Sequence, residues 1–299
     1  MNKNIKIAVA AVAGIIILSG AAVAAWYLTA NTNPGAQNQV QQTNNQTPLQ
    51  NNLTEVPQTV SKTFSDEKSV VVFPDGTTLG NPFVFYGTST AIFENQMNWR
   101  LMDSAGKQVA GGHLYTKSVD MGKPGSFGTI KAFFDKVPSG SSGSLELYDN
   151  SPKDGAEIYK FAIPVTFDVK AGKVSLYFPN TKNDPNMLDC SKVYAVERTV
   201  ALGDDKDIVA IHELLKGLTE TEKSQGYITS LPTEVNDPEI TIGKGAVIAD
   251  FDMTLEKGMG GSCRTSSVRS QLEQTLKAVY PDNQIILSVD GRTEDILQP

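Results

Sequence analysis

From Ile7 to Leu28 the chain runs 22 residues without a charged side chain. As a helix rising about 1.5 Å per residue, that run reaches roughly 33 Å, enough for a hydrocarbon layer of roughly 30 Å. No other feature narrows the choices as far, because such a run is either held across a bilayer or cleaved during export. Lys3 and Lys6 precede it, and no Lys or Arg follows until Lys62. The positive-inside bias then sets the N-terminus in the cytoplasm and everything after the run outside it, on a single-pass transmembrane helix. Trp26 and Tyr27 lie where an interfacial aromatic anchor would. The rival reading is a cleaved signal peptide, for which Val23-Ala24-Ala25 supplies small residues. Lipoprotein processing would need a cysteine at the position of Ala21. Both surviving readings export the rest of the chain.

Behind this anchor (residues 1–30) comes a stretch rich in Asn, Gln and Thr, 31–65, with Pro34, Pro48 and Pro57 and few bulky apolar groups. Such a stretch cannot bury enough surface to offset the entropy of ordering its backbone, so it reads as a flexible linker. The net charge of −7 is unevenly spread. Residues 173–299 hold 13 basic and 20 acidic side chains, so the last third is acidic. An acidic surface repels phosphate backbones, which argues against nucleic acid as a partner.

Residues 66–170 read as all-β. Short runs recur between turn residues: Val70–Phe73, Pro82–Gly87, Gln96–Asp103, Gln108–Tyr115, Phe127–Phe134, Ser144–Tyr148 and Ile158–Phe167. Met97, Trp99 and Leu101 alternate with Asn98 and Arg100, as a half-buried strand requires. Pro164 cannot donate to a ladder and points to an edge. Seven short strands in about 100 residues predict an immunoglobulin-like sandwich. Residues 171–299 change character, with strands expected at Val174–Phe178, Tyr194–Val200, Ala246–Phe251 and Gln284–Val289. Two amphipathic helices lie among them. The first follows Asp204 and Asp205, aligns Ile208, Ile211 and Leu215, and stops at Gly217. The second follows Ser262 as N-cap and aligns Val268, Leu272, Leu276 and Val279 before Pro281. The expectation is a small α+β domain.

That last domain resembles the GerMN (sporulation and spore germination) family. The carriers come in family order: Val174-Ser175-Leu176-Tyr177-Phe178, Val196-Glu197-Arg198, Leu214-Leu215-Lys216-Gly217, and Gly226-Tyr227-Ile228-Thr229-Ser230-Leu231-Pro232. Ala246-Val247-Ile248-Ala249-Asp250-Phe251, Gln271 to Leu276, and Ser288-Val289-Asp290-Gly291 complete the set. Leu218 departs from it, since the family commonly has proline after the helix-ending glycine. The sandwich is similar to the immunoglobulin-like domain of the Gmad type that accompanies GerMN domains. Its carriers are Asn81-Pro82-Phe83-Val84 with Gly87, Phe93-Glu94, Asp103 with Gly106, Asp154-Gly155 and Ile163-Pro164-Val165. The resemblance implies an extracytoplasmic envelope protein without known catalytic residues, acting in ligand binding or protein assembly.

Catalytic constellations are sparse. Only His113 and His212 are present, which limits acid–base and metal chemistry. His212-Glu213-Leu214-Leu215-Lys216 has lysine where H-E-x-x-H needs its second ligand. Ser65-Asp66-Glu67-Lys68 fits S-x-x-K without the partner motifs of that enzyme class. Asp149 to Gly155 has the flavour of a calcium loop, but Lys153 stands where an oxygen ligand belongs. Asp250 and Asp252 share a strand face and are the carboxylates on which a hydrolase, the least favoured reading, would rest. The glycine-rich run Gly258-Met259-Gly260-Gly261 opens a helix at Ser262, and Arg264 adds positive charge, so an anion-binding loop is a candidate beside a plain capped loop. Arg198 is a candidate ligand group beside the commoner role of ion-pair partner, and Glu94 is a candidate at a loop-end surface of the sandwich. No cofactor and no metal is implied.

Cys190 and Cys263 are the only cysteines, and both fall in the exported GerMN-like domain. In an oxidising compartment an even pair within one fold is expected to be bonded, in preference to two separate thiols or a reactive one. The reading that emerges is a non-enzymatic, membrane-anchored envelope protein that binds or assembles. Its partners would be the membrane, envelope proteins or further copies of itself. The alternative is recognition of a small envelope ligand such as a peptidoglycan fragment.

Overall fold

The computed structural model describes residues 61–298, apart from 91–94, 119 and 121–122. The expected anchor and most of the linker, with Phe93 and Glu94, lie outside the described residues. Among the described residues no helix is long and apolar enough to cross a membrane.

Nine strands make the sandwich: β1 (Lys62–Ser65), β2 (Ser69–Phe73), β3 (Thr78–Leu79), β4 (Phe83–Ser89), β5 (Gln96–Asp103), β6 (Gln108–Tyr115), β7 (Gly125–Ala132), β8 (Ser142–Asn150) and β9 (Glu157–Phe167). They form a four-stranded sheet, β1-β2-β4-β7, and a five-stranded sheet, β3-β9-β8-β5-β6. All pairs are antiparallel except β3 with β9. All seven expected runs are strands, and β5 and β6 match their expected limits. β1 corrects the linker's end: Lys62–Ser65 pair with Val70–Phe73, so these residues belong to the sandwich despite their polar composition. Alternation sends Met97, Trp99 and Leu101 inward, where Trp99 meets the edges of Phe83 and Phe85 at 6.1 and 5.4 Å between ring centroids.

β9 lies between β3 and β8, not at the edge expected from Pro164, but Pro164 sits where the topology permits it. The amides of Thr166 and Asp168 turn toward the β3 side, donating to Thr77 and Leu79, and the amide of Phe167 turns the other way. By the two-residue alternation, position 164 would aim its donor toward the β3 side too, beyond the end of that two-residue strand.

The second region holds β10 (Lys170–Phe178), β11 (Tyr194–Leu202), α1 (Lys206–Leu215), α2 (Glu220–Ser224), β12 (Glu239–Ile242), β13 (Ala246–Phe251), α3 (Ser262–Val279) and β14 (Gln284–Val289), with a 3-10 turn at Met253–Glu256. β10 and β11 form an antiparallel pair. β12 joins β13 antiparallel, and β13 runs parallel to β14, with α3 as the crossover. Because β10 begins at Lys170, the passage between the two regions is only Asp168 and Val169. Apolar faces of α1 and α3 meet over the sheets, with Ile211, Leu214, Val268, Leu272 and Leu276 fully buried. α1 ends as expected at Gly217, whose φ of 78° suits a residue without Cβ.

Candidate functional site

The polar centre of the second region is Arg198, carried by β11. Its Nε and Nη2 donate to the two carboxylate oxygens of Glu222 at 2.9 and 2.7 Å, a bidentate fork. Nη1 donates to the Glu213 carbonyl at 2.6 Å and to its carboxylate at 3.3 Å, and Nη2 also reaches the Gly217 carbonyl. A guanidinium has five donors, and all five are taken. Arg198 therefore ties β11 to the end of α1 and to α2, leaving no donor for a ligand. Burial works against the charge, and Glu222 and Glu213 outweigh it, so the Arg198 pKa is raised. Burial pushes the Glu222 carboxyl up, but the Arg198 fork and the Thr219 amide bring it below the usual carboxylate range. Thr219 and Glu222 close a capping box around α2.

Cys190, in the loop between β10 and β11, is bonded to Cys263 in the first turn of α3, with Cα atoms 5.1 Å apart. The bond joins the 180–192 loop to the glycine-rich run. Ser262 is not the N-cap there. It is the first helical residue, and the cap is Gly261 at φ 83° with no side-chain bond. Arg264 donates to two carbonyls, Ser230 at 3.2 Å and Gly258 at 2.7 Å, so it braces the run.

The other candidates are scattered. Asp250 accepts from the Ser288 hydroxyl and the Gly291 amide, at 2.6 and 2.9 Å. Asp252 lies past the end of β13, where it caps the 3-10 turn through Thr254 and accepts from Asn236 at 2.7 Å. The two carboxylates serve different elements. His212 faces Asp237 at 3.0 Å, and Lys216 bonds Glu213 at 2.8 Å. The Asp149–Gly155 loop is a hairpin connection in which Ser151 and Ala156 close the ladder. Asp66, within the S-x-x-K run, accepts from the amides of Lys68 and Ser69 and turns β1 into β2. Among the described residues no three His, Cys, Asp or Glu groups gather as a metal set.

What the sequence did not reveal is the seam. Asn81 donates to the Ala201 carbonyl at 2.7 Å and accepts from the Phe134 amide at 3.2 Å. Ala201 of β11 packs in the sandwich core, while Phe133 of the sandwich packs in the other core. Phe133 also lies flat on His212, with centroids 3.7 Å apart and planes 5° apart. Each region thus completes the other's interior. Along the seam runs a cleft of about 460 Å³, with Pro82 and Lys131 on one side and the start of α1, β12 and Tyr280 on the other. Tyr280 donates to Asp207 at 2.9 Å, and burial together with that carboxylate pushes its phenol up to about 12. Asp204-Asp205 had been legible only as a helix start, because no pattern along the chain says that β12 passes in front of it.

Fold and seam define a class: an immunoglobulin-like sandwich locked to a disulfide-bonded α+β domain. Residues 74–156 match the family described as the immunoglobulin-like domain of bacterial spore germination, and residues 175–295 match the sporulation and spore germination family. Each of the two domains is thus similar to a germination-related family. Among solved structures it is similar to the first GerMN domain of the sporulation protein GerM from Bacillus subtilis, at 17% identity and a TM-score of 0.31, covering 41% of this chain and 85% of that one. The tandem GerMN domains of the same protein match at 17% identity and a TM-score of 0.31, with 43% of each chain covered. A chain from Clostridium perfringens described as a lipoprotein matches at 17% identity and a TM-score of 0.25, covering 41% of this chain and 76% of that one. No curated protein matches the chain.

Proposed function

We propose that this chain is a membrane-anchored, extracytoplasmic binding or assembly protein of sporulation or germination, without catalytic activity of its own. The observation that carries the reading is the Cys190–Cys263 disulfide inside the domain matched to the sporulation and spore germination family. A bond of that kind persists in an oxidising compartment. The uncharged run Ile7–Leu28 behind Lys3 and Lys6 supplies the means of export and retention. The absence of catalysis is supported by the internal engagement of Arg198, Asp250, Asp252 and His212, each held by neighbours with a structural task.

The test is crosslinking of the full chain in intact cells, with the crosslinked proteins identified by mass spectrometry. Envelope proteins, or a second copy of the chain, are the expected products. Protease added to spheroplasts should digest the chain beyond about residue 31, at the end of the hydrophobic run. Complete protection of the chain would overturn the topology, and crosslinks to cytoplasmic proteins alone would overturn the role.

A further inference from the structure

We propose that the edge of β12 is a docking strand for an extended basic segment of a partner protein, received in the cleft along the seam. The amide of Gly243 donates to the Ala246 carbonyl, which fixes the hydrogen-bonding phase of the β12–β13 hairpin. With register Thr241↔Ile248 and Glu239↔Asp250 and no bulge, the directed pairs fall at 241 and 239. Ile240 and Ile242 therefore aim their N–H and C=O groups away from β13. β12 is the outer strand of its sheet, and among the described residues those groups have no backbone partner. At 238, the next position in the outward series, proline has no N–H to leave unpaired.

This edge borders the cleft, whose lining includes Pro238, Glu239, Ile240 and Ile242. Ile240 and Ile242 both line it, Ile240 half-buried against the core of the second region and Ile242 59% exposed, a large apolar group without cover. Asp204, Asp205 and Glu239 are exposed around the same cleft, and among the described residues none of them has an ion-pair partner. Asp207 is already engaged by Tyr280. Among the described residues the one cation on the wall is Lys131, which lies over the Phe133 ring at 5.8 Å.

An occupant must satisfy all of this together. A metal ion or a small amine would meet the carboxylates, yet offer nothing to the N–H groups of Ile240 and Ile242. An extended peptide supplies both donors and acceptors along its backbone, apolar side chains for the isoleucines and Lys or Arg for the carboxylates. The charges select for a basic partner and make its capture sensitive to salt. This proposal names the kind of partner for the binding role above and rests on that role.

The probe is a fluorescein-labelled, amidated Lys-Val-Lys-Val-Lys peptide, titrated into the full chain in detergent micelles and read by anisotropy. Saturable binding is expected, with none for Glu-Val-Glu-Val-Glu. Asp204→Asn with Asp205→Asn should weaken it about tenfold, as should raising salt from about 50 to about 500 mM. Ile242→Pro deletes an outward N–H that the fold does not use and should weaken binding by a similar factor. Its far-UV circular dichroism should match the wild type, which separates lost docking from lost folding. If the basic peptide fails to bind, or the acidic peptide binds equally, the proposal falls. It falls also if the asparagine pair binds as the wild type does, or if folded Ile242→Pro does so, since charge alone would then be the attraction. Cellular crosslinks that persist while the peptide fails would remove the groove and leave the binding role. Peptide binding without any cellular partner would do the reverse.

Discussion

The sandwich and the region after it are closed by different means. In the sandwich, two broad sheets face each other across aromatic side chains, with Phe83, Phe85, Trp99, Phe134 and Phe167 meeting edge to face, and no cysteine is present. In the second region the interior is mainly aliphatic, with Phe133, Phe178 and Phe251 among the aliphatic side chains, and the strands are divided into a pair and a trio. A two-stranded ribbon is marginal by itself. β10 and β11 are held instead by the buried Arg198 fork, the disulfide and the helices. Extensive sheets can rely on area, whereas a divided sheet relies on a few specific bonds, so single substitutions should act differently in the two regions.

The largest contrast should come from the two interiors. In a Trp26→Phe background Trp99 alone reports the sandwich, and helical circular dichroism reports the second region. Arg198→Met leaves Glu222 buried without its cation and Glu213 with Lys216 alone, and should cost about 3–5 kcal/mol, seen as earlier loss of helix in denaturant. Phe85→Ala should cost a similar amount, about 3–5 kcal/mol, and move the Trp99 transition. If both probes shift together in both variants, the regions unfold as one unit and the contrast fails. Next is Cys190→Ser. Freeing a closure of 73 residues should lower the stability of the second region by up to roughly 4 kcal/mol, less any strain. Non-reducing peptide maps of the wild type should show the Cys190–Cys263 pair, and two freely alkylated thiols would refute it.

Asn81→Ala addresses the seam. It leaves the Ala201 carbonyl and the Phe134 amide without their partner and should cost about 1–3 kcal/mol, shared between the two transitions. A shift in one transition alone would show that the seam does not couple them. The finest effect is a pH slope. Burial raises the Glu222 carboxyl and its partners lower it further, so its folded pKa lies below the unfolded value. Its contribution is then present above the ordinary carboxylate range and is lost as pH falls through the folded pKa. Asp103 in the sandwich, held low by the Ser139 and Lys107 amides, gives that region an acid slope of its own. Glu222→Gln should therefore flatten the helix signal's slope and leave that of Trp99 in place, as denaturation midpoints across the acid range will show.

Much of this fold was readable because its strands alternate between clear turns. The limits of β5, β6, β13 and β14 match the expected runs, and the alternation is clean in β5 and β13. β1 was hidden because Lys62-Thr63-Phe64-Ser65 is a polar edge strand whose ladder, more than its side chains, defines it. β12 was hidden for the converse reason: its isoleucines suggest a core, yet Ile242 is exposed. Ser262 read as a cap because serine is a frequent one, while the backbone at Gly261 takes that place. Arg198 was legible as a candidate ligand group or ion-pair partner, but its partners at Glu213 and Glu222 lie 15 and 24 residues away. No local spacing connects them. The seam was beyond reach for the same reason, since Asn81 and Ala201 are 120 residues apart.

The disulfide turns part of the polypeptide into a closed ring. Between Cys190 and Cys263 lie β11, α1, α2, β12 and β13, and with them Arg198 and all of its hydrogen-bond partners. A protease that cuts once anywhere in this ring produces two chain segments but only one covalent molecule. The piece carrying α3 and β14 remains fastened to the sandwich through sulfur. Apart from the water added on hydrolysis, such a nick would leave the molecular mass of the folded protein unchanged until a reductant opened the ring. Damage of this kind would be visible on a reducing gel and silent on a non-reducing one.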